Sequence, residues 1–199
     1  MLKLIRPNLH LDSVFELSAD RLRGLGIDAL LLDMDNTLKD YSAAAFSPAV
    51  KEWIESLRRA GVRMCILSNG KRHRVEPLAQ QLGIPFVTNA LKPFPFRCRS
   101  AARRLGVPPG RTAMVGDQLF ADVLAGRLAG LYTILVRPTS ADEPWFTSVK
   151  RPLERRVLRW MDSRPEKPTA RSAHALASEP ADNRSAPACV GAEPHPYKS

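Results

Sequence analysis

The chain is predicted to fold as an α/β protein, with a central parallel sheet of about five strands and helices on both faces. Three observations carry this. Short apolar runs alternate with amphipathic stretches from Ile27 to Val136. A glycine, proline or small polar turn closes nearly every run. Apolar residues make up 44% of the 199 residues, enough for a core, which excludes global disorder.

Residues 1–26 read as an N-terminal extension to a core spanning 27–137. Ala29–Leu32 is a buried strand that ends at Asp33. Pro48–Ala60 is a helix: Ser47 can cap it, Pro48 suits its first turn, and Gly61 can end it. Its Val50, Trp53, Ile54 and Leu57 repeat at helical spacing. Arg63–Leu67 is the second strand, stopped by Ser68-Asn69-Gly70. Arg72–Leu82 is the second helix, ended by Gly83, with Pro77 inside it as a potential kink. Phe86–Thr88 is a short third strand, and Phe96–Leu105 the third helix, ended by Gly106. Ala113–Val115 is the fourth strand, ended by Gly116-Asp117. Phe120–Ala129 is the fourth helix, ended by Gly130, and Tyr132–Val136 the fifth strand, ended by Pro138. A further helical segment is expected over 144–161.

Composition changes near Met161. From Asp162 to Ser199 there are six prolines, and the sizeable apolar residues are Leu176, Val190 and Tyr197. This stretch is expected to be a disordered tail, outside the domain of residues 1–161. Its five basic and five acidic residues cancel, so the net charge of +10 falls on residues 1–161. Three cysteines without a C-x-x-C fit a thiol-keeping compartment and neither a disulfide framework nor a structural zinc site. No apolar run is long enough to span a membrane, and Pro7, His10 and Asp12 interrupt any signal-peptide pattern. The expectation is a cytoplasmic protein.

The polar clusters follow strand ends, which in such a sheet share one edge and line the ligand crevice. Asp33 and Asp35, at i and i+2, would point the same way in extended chain. With Thr37 behind them they suggest a hard-cation site and a carboxylate nucleophile. Ser68 and Asn69 before a helix suggest a phosphate cradle. Lys92 follows the third strand, where it could neutralise carboxylates and a transferring phosphoryl group. Asp117 and Asp122 would repel each other and Asp33 unless a cation sits between them. Taken singly, each cluster is no more than a turn, a helix cap or a surface charge; their convergence is what points to chemistry.

The segments LLLDMDNT, ILSN, LKP and MVGDQLFAD, in this order on alternating strands, resemble the haloacid-dehalogenase superfamily of phosphotransferases over roughly Ile27 to Val136. The resemblance implies a Rossmann-like three-layer fold and an aspartyl-phosphate mechanism with Mg²⁺. Asp33 would be the nucleophile and Asp35 the general acid, then base. Ser68, with Asn69 and Thr37, would contact the phosphoryl group, and Lys92 would stabilise its charge. Mg²⁺ would take Asp33, the main-chain oxygen of Asp35 and Asp117, supported by Asp122. Members with a second Asp at this position are phosphatases or mutases, so Asp35 argues against a transport ATPase or a dehalogenase. LIRPNLHLDSVFELSADRLRGLGIDALLLDMDNTL and GDQLFADVLAGRLAG are similar to the YqeG-like, subfamily IIIA phosphatases, relatives of phosphatidylglycerophosphate phosphatases. Gly70 and Ala121 depart from the Asn and Thr often found there.

Spacing bears on access. Asp33 to Ser68 is 35 residues and Ser68 to Lys92 is 24, too few for an inserted cap domain, so the site should be open to large substrates. The expected function is a phosphomonoester hydrolase acting on phosphatidylglycerophosphate or another large or lipid-linked phosphomonoester. The alternatives are a soluble sugar or nucleotide phosphatase and a basic nucleic-acid-binding module. The basic clusters lack the aromatic interleaving of an RNA-reading sheet. A receiver-like signalling module would order its acids and lysine differently. Leu153, Val157, Trp160 and Met161 would share a stripe on a helix carrying Arg151, Arg155, Arg156 and Arg159. That stripe either packs on the sheet or lies on an anionic membrane as a peripheral contact.

Overall fold

A computed structural model describes residues 4–140 and 151–162. The tail was expected to begin at Asp162, which instead ends the last helix; the remainder from residue 163, and residues 144–150 of the expected helical segment, lie outside the described residues. The strands are β1 (Leu9–Leu11), β2 (Ala29–Leu32), β3 (Arg63–Leu67), β4 (Phe86–Val87), β5 (Thr112–Gly116) and β6 (Tyr132–Val136). The helices are α1 (Ala19–Gly24), α2 (Pro48–Arg59), α3 (Arg72–Leu82), α4 (Phe96–Arg104), α5 (Leu124–Ala129) and α6 (Arg151–Asp162).

The strands form one sheet in the order β1-β6-β5-β2-β3-β4, and every neighbouring pair is parallel. The sixth strand, β1, was not expected. Its Leu-His-Leu is too short to show a period, and its place is fixed by distant partners: Asn8 N–H donates to Thr133 O at 2.9 Å, and Asn8 Oδ1 accepts from Thr133 N at 3.0 Å.

Alternation along the strands sorts the core into two layers. Leu30, Leu32, Met64 and Ile66 face α1, α2 and α3, where Leu22, Trp53, Ile54, Leu57 and Leu78 fill the space. Leu31, Cys65, Leu67 and Met114 face α4 and α5, against small residues such as Ala101, Ala102 and Ala125. Those small residues let the second layer approach closely. The three-layer expectation therefore holds. Ser47 Oγ accepts from Val50 N at 3.3 Å and starts α2 as expected. The expected helix over Phe120–Ala129 divides into a π turn at Leu119–Val123 and α5. Val157 of α6 packs against Leu119, Val123 and Leu135, so the helix lies on the body of the protein. Among the described residues no helix is long and apolar enough to cross a membrane.

Because β5, β2, β3 and β4 are neighbours, the loops leaving their carboxyl ends are neighbours too. β2 is the switch point: the chain moves to β3 and β4 on one side, then crosses to β5 on the other. Ligands of open parallel sheets bind at such a point.

Candidate active site

Asp33 follows β2, and its N–H donates to Val115 O at 2.9 Å, continuing the ladder to β5. The chain then turns rather than remaining extended. Asn36 is left-handed (φ 57°), and Asp35 bridges Lys39. This corrects the expectation that Asp33 and Asp35 aim alike. Asp33 turns inward to Lys92, while Asp35 turns to Arg74, whose two guanidinium nitrogens donate to it at 2.9 and 2.6 Å.

Lys92 is the buried centre of the inner cluster. Its ammonium donates to Asp33 Oδ1 at 2.5 Å and to Asp122 Oδ1 at 2.6 Å. Burial opposes its charge, but Asp122 and Asp33 outweigh burial and raise its pKa. Burial pushes the Asp122 carboxyl up, to about 6; Lys92 opposes the rise and Asp33 adds to it. Thr37 Oγ1 lies 3.3 Å from Asp33 Oδ2 and 3.1 Å from Asp117 Oδ1, a hydroxyl shared between two acids. Asp33, Asp117 and Asp122 each bring an oxygen within 4.8 Å of the others, and all three are buried. Three buried acids facing one ammonium leave excess negative charge, and an all-oxygen donor set suits a hard divalent cation. The carboxylate of Asp35 is not in this set.

Backbone geometry fixes each acid. β5 ends at Gly116, where a Cβ would collide with the Asp122 carboxylate, so only glycine lets that side chain lie across the strand end. Asp122 Oδ2 accepts from Gln118 N at 3.0 Å, closing the π turn on itself. π turns of this kind recur at functional sites. From outside, Glu154 of α6 accepts from Phe120 N at 3.1 Å and steadies the same turn.

Ser68 is buried after β3, and its Oγ accepts from Gly70 N at 3.0 Å. Asn69 faces another way: its Oδ1 accepts from Lys92 N at 2.9 Å and its Nδ2 donates to Lys92 O at 3.3 Å. Its amide thus clamps the lysine loop.

The fold brings together Asp33, Thr37, Lys92, Asp117 and Asp122, with Ser68 and Asn69 on the adjoining turn and Asp35 at the rim. Sequence reasoning missed three side chains. Arg74 was hidden in the basic run Lys71-Arg72-His73-Arg74, although its place in the first turn of α3 was a usable signal. Lys39, four residues past Asp35, is buried and donates to Asp40 O at 2.7 Å; burial lowers its pKa. Glu154 carried no signal, since the bond it makes to Phe120 goes to a backbone amide.

Residues 39–130 match the family described as haloacid dehalogenase-like hydrolase. The chain is 31% identical over 156 residues to the probable phosphatase YqeG of Bacillus subtilis, covering 78% of this chain and 91% of that protein. It is 24% identical over 170 residues to a chloroplastic/mitochondrial phosphatidylglycerophosphate phosphatase of Arabidopsis thaliana, covering 80% of this chain but 49%, about half, of that protein. Among solved structures, a hypothetical protein of Xanthomonas campestris superposes with a TM-score of 0.50 at 17% identity, covering 69% of this chain and 78% of that one, which speaks for the fold. With this cluster at the carboxyl edge of its sheet, the chain belongs to the haloacid dehalogenase-like hydrolases and is a phosphatase of that family.

Proposed function

We propose that this phosphatase is a Mg²⁺-dependent phosphomonoester hydrolase that works through an aspartyl-phosphate on Asp33. The observation that carries the reading is the buried ammonium of Lys92 lying between Asp33 and Asp122. It fixes the position of the Asp33 carboxylate, and it would offset charge on a phosphoryl group arriving there.

In the first step an Asp33 oxygen attacks phosphorus as the bond to the leaving oxygen breaks, and Asp35 gives that oxygen its proton. In the second, Asp35 takes a proton from water, the water oxygen attacks the same phosphorus, and Asp33 leaves as a free carboxylate with inorganic phosphate. Ser68 Oγ and the amides of its turn would bind phosphoryl oxygens. To Asn69 we assign the holding of the Lys92 loop rather than contact with substrate. Asp33, Asp117, the Asp35 main-chain oxygen and, in support, Asp122 would hold Mg²⁺. The ion would supply neutralisation of phosphate charge.

For substrate we propose a phosphate on a large or lipid-linked alcohol, with phosphatidylglycerophosphate the leading compound. The name of the Arabidopsis relative supports this, as does the absence of an inserted cap over the site among the described residues. The test is phosphate release from para-nitrophenyl phosphate and from a panel of lipid, sugar and nucleotide phosphates, with chelator and with Mg²⁺ restored. Asp33→Asn should release none, and Asp35→Asn should be slower by roughly 10²–10⁴-fold. Near-normal turnover by Asp33→Asn would refute the nucleophile assignment.

A further inference from the structure

The loop that delivers Lys92 to the site carries large apolar side chains in the opposite direction. Leu91, Phe94 and Phe96 are 64%, 60% and 69% exposed. Single exposed apolar residues need no explanation, but three within six residues, two on the loop and one at the first position of α4, make a patch. The backbone is bent to keep them outside. Asn89 and Leu91 are both left-handed, with φ of 47° and 55°, a conformation that costs a non-glycine residue energy and persists where surroundings enforce it. The enforcement is visible. Asn89 N donates to Gly70 O and Ala90 N to Ser68 O, while Asn69 holds Lys92 by both backbone groups. Phe94 N donates to Leu91 O at 2.9 Å, which turns the tip.

The surroundings of the tip are basic. Lys71 is exposed on the turn to which the loop is tied, and Arg97 and Arg99 are exposed just beyond it; Arg72, also exposed, is paired with Glu76 at 2.7 Å. No Asp or Glu occurs between Glu76 and Asp117. A second copy of this chain meeting the patch face to face would oppose two basic rims, which repel. A surface carrying dense negative charge above an apolar layer matches both the rim and the tip.

We propose that the Leu91–Phe96 loop docks the enzyme on an anionic lipid bilayer, its aromatic tip in the interfacial layer and its basic rim on the headgroups. Docking there would set the mouth of the site, one residue away at Lys92, at the level of a headgroup phosphate. The inference deepens the lipid-linked reading of the substrate and rests on it for what the docked enzyme acts upon. It also moves the membrane contact from α6, whose Val157 is engaged with the core, to the catalytic edge of the sheet.

The experiment is co-sedimentation of the full chain with vesicles of phosphatidylcholine alone and of phosphatidylcholine with phosphatidylglycerol, at low and high salt, without substrate. Wild type and Asp33→Asn should both bind the anionic vesicles at low salt, and salt should weaken the binding. Phe94→Ser/Phe96→Ser should lose roughly tenfold or more in vesicle affinity, with para-nitrophenyl phosphate turnover unchanged. Equal binding by that variant, or no binding by wild type, would overturn the proposal. So would a fall in the variant's melting temperature in vesicle-free buffer, which would mean that the chain itself covers the patch, or a change from dimer to monomer, which would mean that a second copy does. Vesicle binding that persists while no phosphomonoester is hydrolysed would uphold the docking surface and refute the proposed activity instead.

Discussion

Arg74 grips both carboxylate oxygens of Asp35 across 39 residues of sequence, at 2.9 and 2.6 Å. The same guanidinium lies over the Tyr41 ring, 4.4 Å from its centroid, and its Nη2 donates to Tyr41 O at 3.3 Å. The proposed proton donor is therefore held at the rim by a planar fork that is itself stacked.

This pairing sets a pH prediction. Burial raises the Asp35 pKa, Arg74 lowers it, Asp33 raises it and Lys39 lowers it, with a net rise. Removing Arg74 deletes the largest downward influence, so Asp35 would keep its proton to higher pH. The second chemical step needs Asp35 unprotonated. We expect the acid limb of the pH–rate profile to move to higher pH in Arg74→Ala, and less in Arg74→Lys, where a point charge replaces the fork. Activity that falls without any displacement of the profile would reduce Arg74 to a structural part.

Lys92→Met leaves Asp33 and Asp122 buried without their shared cation. Breaking a buried pair this way costs roughly 3–5 kcal/mol, read as a lower urea midpoint. Asp122→Asn added to Lys92→Met should restore part of that stability and none of the activity. If Lys92→Met alone unfolds at the wild-type midpoint, the three charges do not interact as their distances imply.

The metal prediction separates two acids. Asp122 is committed to Lys92 and to Gln118 N, whereas Asp117 faces the Thr37 hydroxyl. Asp117→Ala should raise the Mg²⁺ concentration needed for half-maximal activity far more than Asp122→Ala does. Calcium should inhibit, since its looser coordination does not enforce the near-octahedral arrangement that Mg²⁺ demands. Full turnover in excess chelator would end the metal reading.

Glu154 tests whether α6 serves the site. Its carboxylate accepts from Phe120 N at the start of the turn that carries Asp122. Glu154→Ala should cost roughly 1.5–3 kcal/mol, the range for a hydrogen bond to a charged group. It should also weaken Mg²⁺ activation; Glu154→Gln keeps an acceptor and should lose less. Wild-type values for both in Glu154→Ala would uncouple the helix from the site.

What could be read from the sequence was whatever local periodicity controls. β2, β3, β6 and α3 stand at their expected limits, because apolar runs bounded by glycine or a polar turn leave little choice of boundary. Asp33, Lys92, Asp117 and Asp122 were legible because strand ends converge in a parallel sheet. Long-range geometry was not. The swing of Asp35 toward Arg74 depends on the left-handed Asn36, and a short Asp-Asn pair does not announce which way it will turn. The π turn at Leu119–Val123 has the composition of ordinary helix; the contact of Gly116 with Asp122 and the bond to Glu154 accompany the extra residue in its first turn. β1 was invisible because three residues cannot show a period, and its register belongs to β6.

That last pairing has a consequence for how the chain is made. Asn8 and Thr133, which join β1 to β6, are separated by 125 positions. At roughly 5–20 residues per second of synthesis, β1 waits on the order of 6–25 s for its partner strand to be translated. During that interval β2 and β3 can pair and bury α2, but Leu9 and Leu11 have no sheet to join. The edge of the sheet nearest the N-terminus is thus the seam that closes last on the ribosome, and a nascent chain stalled before β6 would present it open.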